Sequence, residues 1–227
     1  MPEAYIVDAV RTPVGRRKGG LGVEHPADLG AHVIKGLVER TGIDPAAVDD
    51  VIFGCVDTIG HQAGDIARTC WLAAGLPDSV PGTTVDRQCG SSQQAVHFAA
   101  QAVMSGTQDL VVAGGVQQMT QIPISAAMMV ATQFGISDPF SGSKGSQARY
   151  GNQEVNQFLS AQRIAEKWDL SRAAMEAYSL ESHERAIRAQ DEGRFDREIL
   201  PYGDVRFDEG PRRGSTLAKM AELKTLP

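Results

Sequence analysis

The sequence predicts an α/β layered domain with a substantial parallel component. Three observations carry this. Short apolar runs alternate with segments of helical period from the start of the chain. Glycine, at 24 of 227 residues, exceeds the roughly 16 that an average composition would give, and the excess gathers at the ends of those runs, at Gly54, Gly60, Gly64, Gly75, Gly82, Gly90, Gly106, Gly114 and Gly115. The length is ample for a real core and lies at the upper end of one domain or the lower end of two.

Ala4 to Val10 is apolar enough to read as the first strand. Pro26 to Arg40 follows with Leu29, Val33 and Leu37 at helical spacing. Val51-Ile52-Phe53-Gly54 reads as a buried strand, Asp65 to Ala74 as a helix, Thr83 to Asp86 as a strand, Ser91 to Ser105 as a helix and Asp109 to Ala113 as a strand. The texture then changes. Gln117 to Arg149 is rich in Gln, Ser, Met and Gly and has no comparable β-branched run, which predicts a loop-rich insertion. Ala161 to Trp168 and Ser171 to Arg194 are amphipathic, the second with Ser171 as N-cap and Gly193 near its end. Ile199 to Arg206 reads as a short strand that Pro201 confines to an edge. The change near residue 118 divides the chain into 1–118 and 119–227.

Composition narrows the function classes. Lys plus Arg total 22 against 28 Asp plus Glu, a net charge of −6, and Arg16-Arg17-Lys18 is the only compact basic run, so no nucleic-acid footprint is expected. No apolar run reaches the roughly 18 residues of a spanning helix. Three cysteines, Cys55, Cys70 and Cys89, are too few for a disulfide framework and lack zinc spacing, so no metal is expected and a reducing compartment fits. The early acidic residue Glu3 and the short apolar run after it do not read as a signal peptide, and the expected location is cytoplasmic.

The segment richest in chemistry runs from Thr83 to Ala95. A strand ends, Cys89 occupies the turn, Gly90 permits a tight backbone, and a helix of small residues begins at once. Free N–H groups and the positive end of the macrodipole favour a thiolate at such a place. The same amides, that of Cys89 included, can face the oxygen of a carbonyl under attack and supply part of an oxyanion hole. A buried, merely packed thiol is the competing reading for any cysteine, and it is the one expected for Cys55, behind a strand, and Cys70, within a helix. A nucleophilic thiol wants a base. None of the five histidines, at 25, 32, 61, 97 and 183, is placed for it. His97 lies eight residues further along the helix, about 12 Å at 1.5 Å per residue. His61, between Gly60 and Gly64, reads as a loop residue.

Several segments together resemble the thiolases, the coenzyme A-dependent acyltransferases that cleave or form 3-oxoacyl thioesters. They are Ala9-Val10-Arg11-Thr12-Pro13-Val14-Gly15 with Gly19-Gly20-Leu21; Asp86-Arg87-Gln88-Cys89-Gly90-Ser91-Ser92; Ala113-Gly114-Gly115-Val116-Gln117-Gln118-Met119-Thr120; Ala165 to Arg172; and Asp208-Glu209-Gly210-Pro211-Arg212-Arg213-Gly214-Ser215-Thr216-Leu217. Each is weak alone; in this order, across nearly the whole chain, they are specific. The resemblance implies a layered α-β-α core, of which 1–118 is the first half, with an inserted mixed loop domain in 119–227 that binds coenzyme A. It implies Cys89 as the acyl-carrying nucleophile. Arg212 is the best candidate for the phosphates of coenzyme A, with Ser215 and Thr216 as hydroxyl contacts nearby, because a guanidinium suits phosphate; Arg213 reads equally as a surface charge.

The resemblance also places a catalytic Asn, an activating His and a second reactive Cys in a continuation beyond Pro227, so the chain alone is not expected to turn over. It implies coenzyme A as a substrate, no permanently bound cofactor, acyl-CoA as the other ligand, and a homo-oligomer, dimer or tetramer, formed through the core. A second chain supplying the other half, or a non-catalytic fragment that binds acyl-CoA or a partner, is the alternative reading. A ketoacyl-synthase-like condensing enzyme shares the strand, cysteine and helix logic, but the Arg-Thr-Pro opening and the long insertion favour thiolase. Gln117 stands where the family often has Glu, and Asn156 to Ser160 lack the His-Met-Gly of many short-chain members. The Gln-rich Ser91-Ser92-Gln93-Gln94 is closer to members that degrade bulky acyl chains, steroid-derived ones included.

Overall fold

Val51, Ile52 and Phe53, three large apolar residues in succession, form the centre of strand β1 (Asp50–Gly54), which is buried along almost its whole length. Consecutive burial requires cover on both faces, as in a parallel sheet between helices. The computed structural model, which describes residues 3–225, shows that arrangement. Met1, Pro2, Leu226 and Pro227, which the readings of the two chain ends include, lie outside the described residues. The sheet has the order β2-β1-β3, with β2 (Gly82–Val85) and β3 (Val111–Gly115) both parallel to β1. In register, Ile52 faces Thr83 on one side and Ala113 on the other.

Alternation along β1 sorts the two layers. Val51 and Phe53 join the main apolar cluster with Ile34 and Val38 of helix α1 (Pro26–Thr41) and Ile66, Ala67, Cys70 and Trp71 of helix α2 (Ile66–Ala73). Gly54, of the opposite parity, meets the first turn of helix α3 (Ser91–Ser105). That helix packs on β1 and β3 and buries a stripe of small residues, Ser91, Ala95 and Ala99, at i, i+4 and i+8. The layered α/β core is thus the predicted one, and α1, β1, α2, β2 and α3 fall within two residues of their expected bounds.

Several expectations need correction. Ala4 to Val10 is not a strand: among the described residues the segment joins no ladder, and Tyr5, Ile6 and Val7 are 77%, 80% and 74% exposed. Only Arg11 pairs, in a single parallel bridge with Ile199. Ile199 to Arg206 is likewise no strand, because Pro201 offers no N–H and Tyr202 turns back to bond Val205 in both directions. The third strand begins at Val111 rather than Asp109, since the Asp49 carboxylate accepts the N–H groups of Asp109 (2.7 Å) and Leu110 (3.0 Å), taking them from the ladder. Its end runs on to Gly115. The loop-rich insertion holds two short helices, α4 (Ala126–Val130) and α5 (Lys144–Tyr150).

Helix α6 (Gln157–Lys167) starts four residues early because Asn156 caps it, accepting the N–H of Phe158 at 2.8 Å. Helix α7 (Arg172–Asp191) has the expected Ser171 cap, and a last short helix, α8 (Leu217–Ala221), is capped by Thr216. The chain packs as two units. One extends to Ser137 and takes up Arg197–Glu209; the other comprises Asp138–Asp196 and the residues from Gly210 onward. The change in composition near residue 118 therefore falls inside the first unit, where Gln118 is buried and bonds Gln62 Oε1, Leu21 O and Glu24 O. Buried Asp57 likewise accepts the N–H groups of Ser125 and Ala127 at the start of α4. No described residue of the second unit is buried.

A clamp closes the first unit. Arg11 is bidentate to Asp208 (2.6 and 3.0 Å) and reaches Glu198 through Nε at 2.8 Å. Asp208 also accepts Val14 N–H, and Glu209 accepts those of Arg16 and Gly20. Burial pushes the Asp208 carboxyl up, but the Arg11 guanidinium and the Val14 N–H outweigh it and hold it below the usual carboxylate range. Because the folded value is the lower one, this stabilisation is complete above the ordinary carboxylate pKa of about 4 and is lost as pH falls through the folded value.

Asp208→Asn is therefore expected to cost about 1–3 kcal/mol at neutral pH, with the gap to the parent shrinking below about pH 4. Urea midpoints at pH 7, 5 and 3 check this, and a gap independent of pH would contradict it. Gly54→Ala is expected to cost at least about 1–3 kcal/mol, because its Cβ would lie within 2.7 Å of Ser92 Cα and closer still to other backbone atoms of α3. Gly145→Ala, in α5 with nothing within 4 Å of the new methyl, is expected to be neutral or stabilising in the same urea series.

Candidate active site

Strand β2 ends at Val85 and α3 begins at Ser91, leaving Asp86 to Gly90 to reverse the chain. Such an abrupt turn needs an unusual backbone, and Gln88 supplies it with φ +49°, a left-handed conformation that costs an ordinary residue about 1–2 kcal/mol. Local hydrogen bonds hold it there. Asp86 Oδ1 accepts Gln88 N–H at 2.7 Å, and Ser91 Oγ accepts Arg87 N–H at 2.9 Å while donating to Gln88 O at 2.5 Å. Gly90 N–H and Ser91 N–H donate to Arg87 O and Gln88 O. Among the described residues Cys89 N–H donates to none.

Contact with the sheet fixes the elbow in space. A Cβ at Gly54 would fall inside the radii of Ser92 N and Ser91 C, and one at Gly115 would collide with Ser92 Oγ and lie 2.6 Å from Gly54 O. Two hydrogens in place of two methyls let the first turn of α3 rest on the carboxyl ends of β1 and β3.

The three cysteines separate cleanly. Cys89 is exposed and free; Cys55 and Cys70 are free and buried, as expected of them. Burial, with the carboxylates of Asp57 and Asp86 adding to it, pushes the Cys55 thiol up to about 11. Burial pushes Cys70 up to about 12. Both remain protonated thiols near neutral pH. Cys55 Sγ donates to Gln117 Oε1 at 3.5 Å, and Val56 N–H donates to the same oxygen. The amide at position 117 therefore anchors the chain beyond β1, which Glu would do with a charge.

No described side chain hydrogen-bonds the Cys89 thiol. His25 caps α1 through Nδ1, His61 bonds Gln121 Oε1 and stacks at 4.6 Å on His25, and His183 Nδ1 accepts Arg212 N–H. His32 packs edge-on to Tyr202. His97 is exposed on α3, and among the described residues no histidine hydrogen-bonds Cys89.

In the second unit the segment after Gly210 sets its two arginines apart. Arg213 is paired with Asp191 by two bonds of 3.0 and 2.6 Å, and this guanidinium holds the Asp191 carboxyl below its usual range. The exposed Arg212 side chain has no partner among the described residues. Ser215 Oγ donates to Arg212 O at 3.1 Å, and Thr216 Oγ1 caps α8 by accepting Lys219 N–H. Arg212, Ser215 and Thr216 thus share one short connected segment, with Arg212 the unneutralised cation.

Sequence reasoning singled out Cys89 and its own amide but missed the residues that hold them. Ser91 and Asp86 carried a legible signal, since a short polar side chain flanking a turn bonds nearby backbone. Gly54 and Gly115 read in the sequence as ends of strands, but their role as contact points with α3 depends on a long-range approach that spacing does not encode.

The family described as "Thiolase, N-terminal domain" matches residues 4–226. Among curated proteins, the chain is 61% identical to the steroid 3-ketoacyl-CoA thiolase FadA6 of Mycobacterium tuberculosis over 230 residues, which cover all of this chain and 56% of that protein. It is 38% identical to a beta-ketoadipyl-CoA thiolase of Acinetobacter baylyi, covering 99% of this chain and 60% of the relative. With a 3-ketoacyl-CoA thiolase of Pseudoalteromonas translucida it shares 41% identity over 88% of this chain and 49% of the relative. The chain spans about half the length of these relatives. With its layered core, its strand-to-helix elbow and a family match over nearly its whole length, the chain belongs to the thiolase family.

Proposed function

We propose that this chain supplies the nucleophile of a coenzyme A-dependent acyl transfer, the thiolytic cleavage of a 3-oxoacyl-CoA or the reverse condensation. The observation that carries the reading is the Cys89 elbow: an exposed thiol whose own N–H is uncommitted, at the N-terminus of a helix pinned to the sheet. The Cys89 thiolate attacks the 3-keto carbon. Negative charge moves to the carbonyl oxygen, where Cys89 N–H can donate to it, half of an oxyanion hole. The bond between C2 and C3 then breaks, and acetyl-CoA or propionyl-CoA leaves as a carbanion equivalent that takes up a proton. The acyl group remains on Cys89 as a thioester. Attack by the thiol of free coenzyme A releases a shortened acyl-CoA and restores Cys89. Division into two steps through a covalent intermediate suits a thiol.

The division of labour proposed for the sequence is a core half in 1–118 that carries the nucleophile and a region in 119–227 that holds coenzyme A. Arg212 is its phosphate contact, with Ser215 and Thr216 beside it; the lack of a carboxylate partner at Arg212, against the Asp191 pair at Arg213, supports that choice. The residues that activate Cys89 and protonate the leaving carbon belong to the rest of the site, whether in the same or a second polypeptide. A bulky acyl chain is favoured by the 61% identity to a steroid 3-ketoacyl-CoA thiolase. Among the described residues no helix is long and apolar enough to cross a membrane. A cytoplasmic homo-oligomer fits the reduced cysteines and the exposed apolar side chains of α3, Val96, Phe98 and Met104.

Incubation of the chain with acetyl-CoA or a 3-oxoacyl-CoA, followed by intact mass measurement and peptide mapping, is expected to show one acyl adduct, on Cys89. No adduct while Cys89 still reacts with iodoacetamide would overturn the reading for this chain. Arg212→Ala is expected to weaken coenzyme A binding about tenfold by calorimetric titration, and Arg213→Ala to change it about twofold at most. Equal losses would remove the assignment of Arg212.

A further inference from the structure

We propose that Ser91 is a positioning residue for the nucleophile, its hydroxyl holding the elbow in the conformation that leaves Cys89 N–H free for an oxyanion. The proposal deepens the acyl-transfer reading and rests on Cys89 as its nucleophile.

Four observations converge on this side chain. Ser91 is 3% exposed, so its hydroxyl must find partners within the protein. It finds two on the elbow itself, accepting from Arg87 N–H at 2.9 Å and donating to Gln88 O at 2.5 Å. Those partners bracket the strained Gln88 peptide, whose φ of +49° persists only where its surroundings over-determine it. The backbone of Ser91 is in turn pressed against Gly54. One residue therefore ties the rigid strand end to the strained residue directly before the nucleophile.

Without the hydroxyl, Arg87 N–H loses its acceptor and Gln88 O loses one of two donors. Gln88 can then relax toward negative φ, and the rotation of the 88–89 peptide this entails turns Cys89 N–H. The Cys89 side chain, on an already exposed residue, stays reachable by small reagents. The two properties of the site should thus come apart: reactions that develop an oxyanion suffer, and simple displacement at sulfur does not.

The test compares two reagents on the intact chain. With p-nitrophenyl acetate, the Cys89 thiolate adds to the ester carbonyl through an oxyanion, the acyl–oxygen bond breaks, p-nitrophenolate leaves and the thiol proton goes to buffer. With iodoacetamide, sulfur displaces iodide and no oxyanion forms. The ratio of acylation to alkylation rates at Cys89, mapped by mass, is expected to exceed that of the urea-unfolded chain about tenfold in the parent, and to fall about tenfold in Ser91→Ala. Gln88→Gly placed on Ser91→Ala is expected to restore most of it, because glycine holds positive φ without help.

An unchanged ratio in Ser91→Ala would overturn the proposal, as would a parent ratio equal to that of the unfolded chain. So would a ratio that falls only together with new alkylation of Cys55 and Cys70, since Ser91 would then act on the fold as a whole. Failure of acetyl-CoA to acylate Cys89, with the ester ratio behaving as expected, would sink the coenzyme A reading and leave the positioning role intact.

Discussion

The first turn of α3 lies so close to the ends of β1 and β3 that no side chain fits between them, and the geometry of the elbow follows from that contact. Gly54 and Gly115 provide the space. Interiors packed near crystal density transmit a misfit of a single methyl, so a helix seated in this way has few alternative positions. The chain must then leave β2 and enter α3 within five residues, Asp86 to Gly90, and it does so by forcing Gln88 to positive φ. Strain at one residue, held by neighbouring side chains, places an exposed thiol on a rigid support.

The outer motifs prove to be partners of each other. Arg11, from the opening Arg-Thr-Pro, pairs with Asp208, and Glu209 bonds the glycine-bearing turn at Arg16 and Gly20. Segments almost two hundred residues apart in sequence are thereby joined in one packed unit. These bonds close the first unit, so Asp208 and Glu209 pack with the core, while Arg212 and its neighbours pack with the helices that follow Asp138.

What was legible in the sequence is what local pattern determines. The apolar run at Val51 to Phe53, the helical period from Pro26, the Ser171 cap and the small-residue helix after Cys89 all specify their own conformations. Ala4 to Val10 failed because a strand is a property of a pair: Tyr5, Ile6 and Val7 have strand propensity but no neighbouring ladder. The start of β3 was displaced by an Asp49 carboxylate sixty residues away. The turn that exposes Cys89 between strand and helix was legible in the sequence, whereas the part Ser91 plays in it, two residues on, became visible only once its bonds to Arg87 and Gln88 were known.

The packing of α3 on the sheet separates one exposed thiol from two that the fold conceals. A brief pulse of iodoacetamide at rising urea concentrations, with each cysteine mapped by mass, tests it most directly. Cys89 is expected to label fully without denaturant, and Cys55 and Cys70 to label together, only as the first unit unfolds. Labelling of Cys55 at the rate of Cys89 in the absence of urea would show that the strand end beneath the elbow is open to solvent, and would contradict the account.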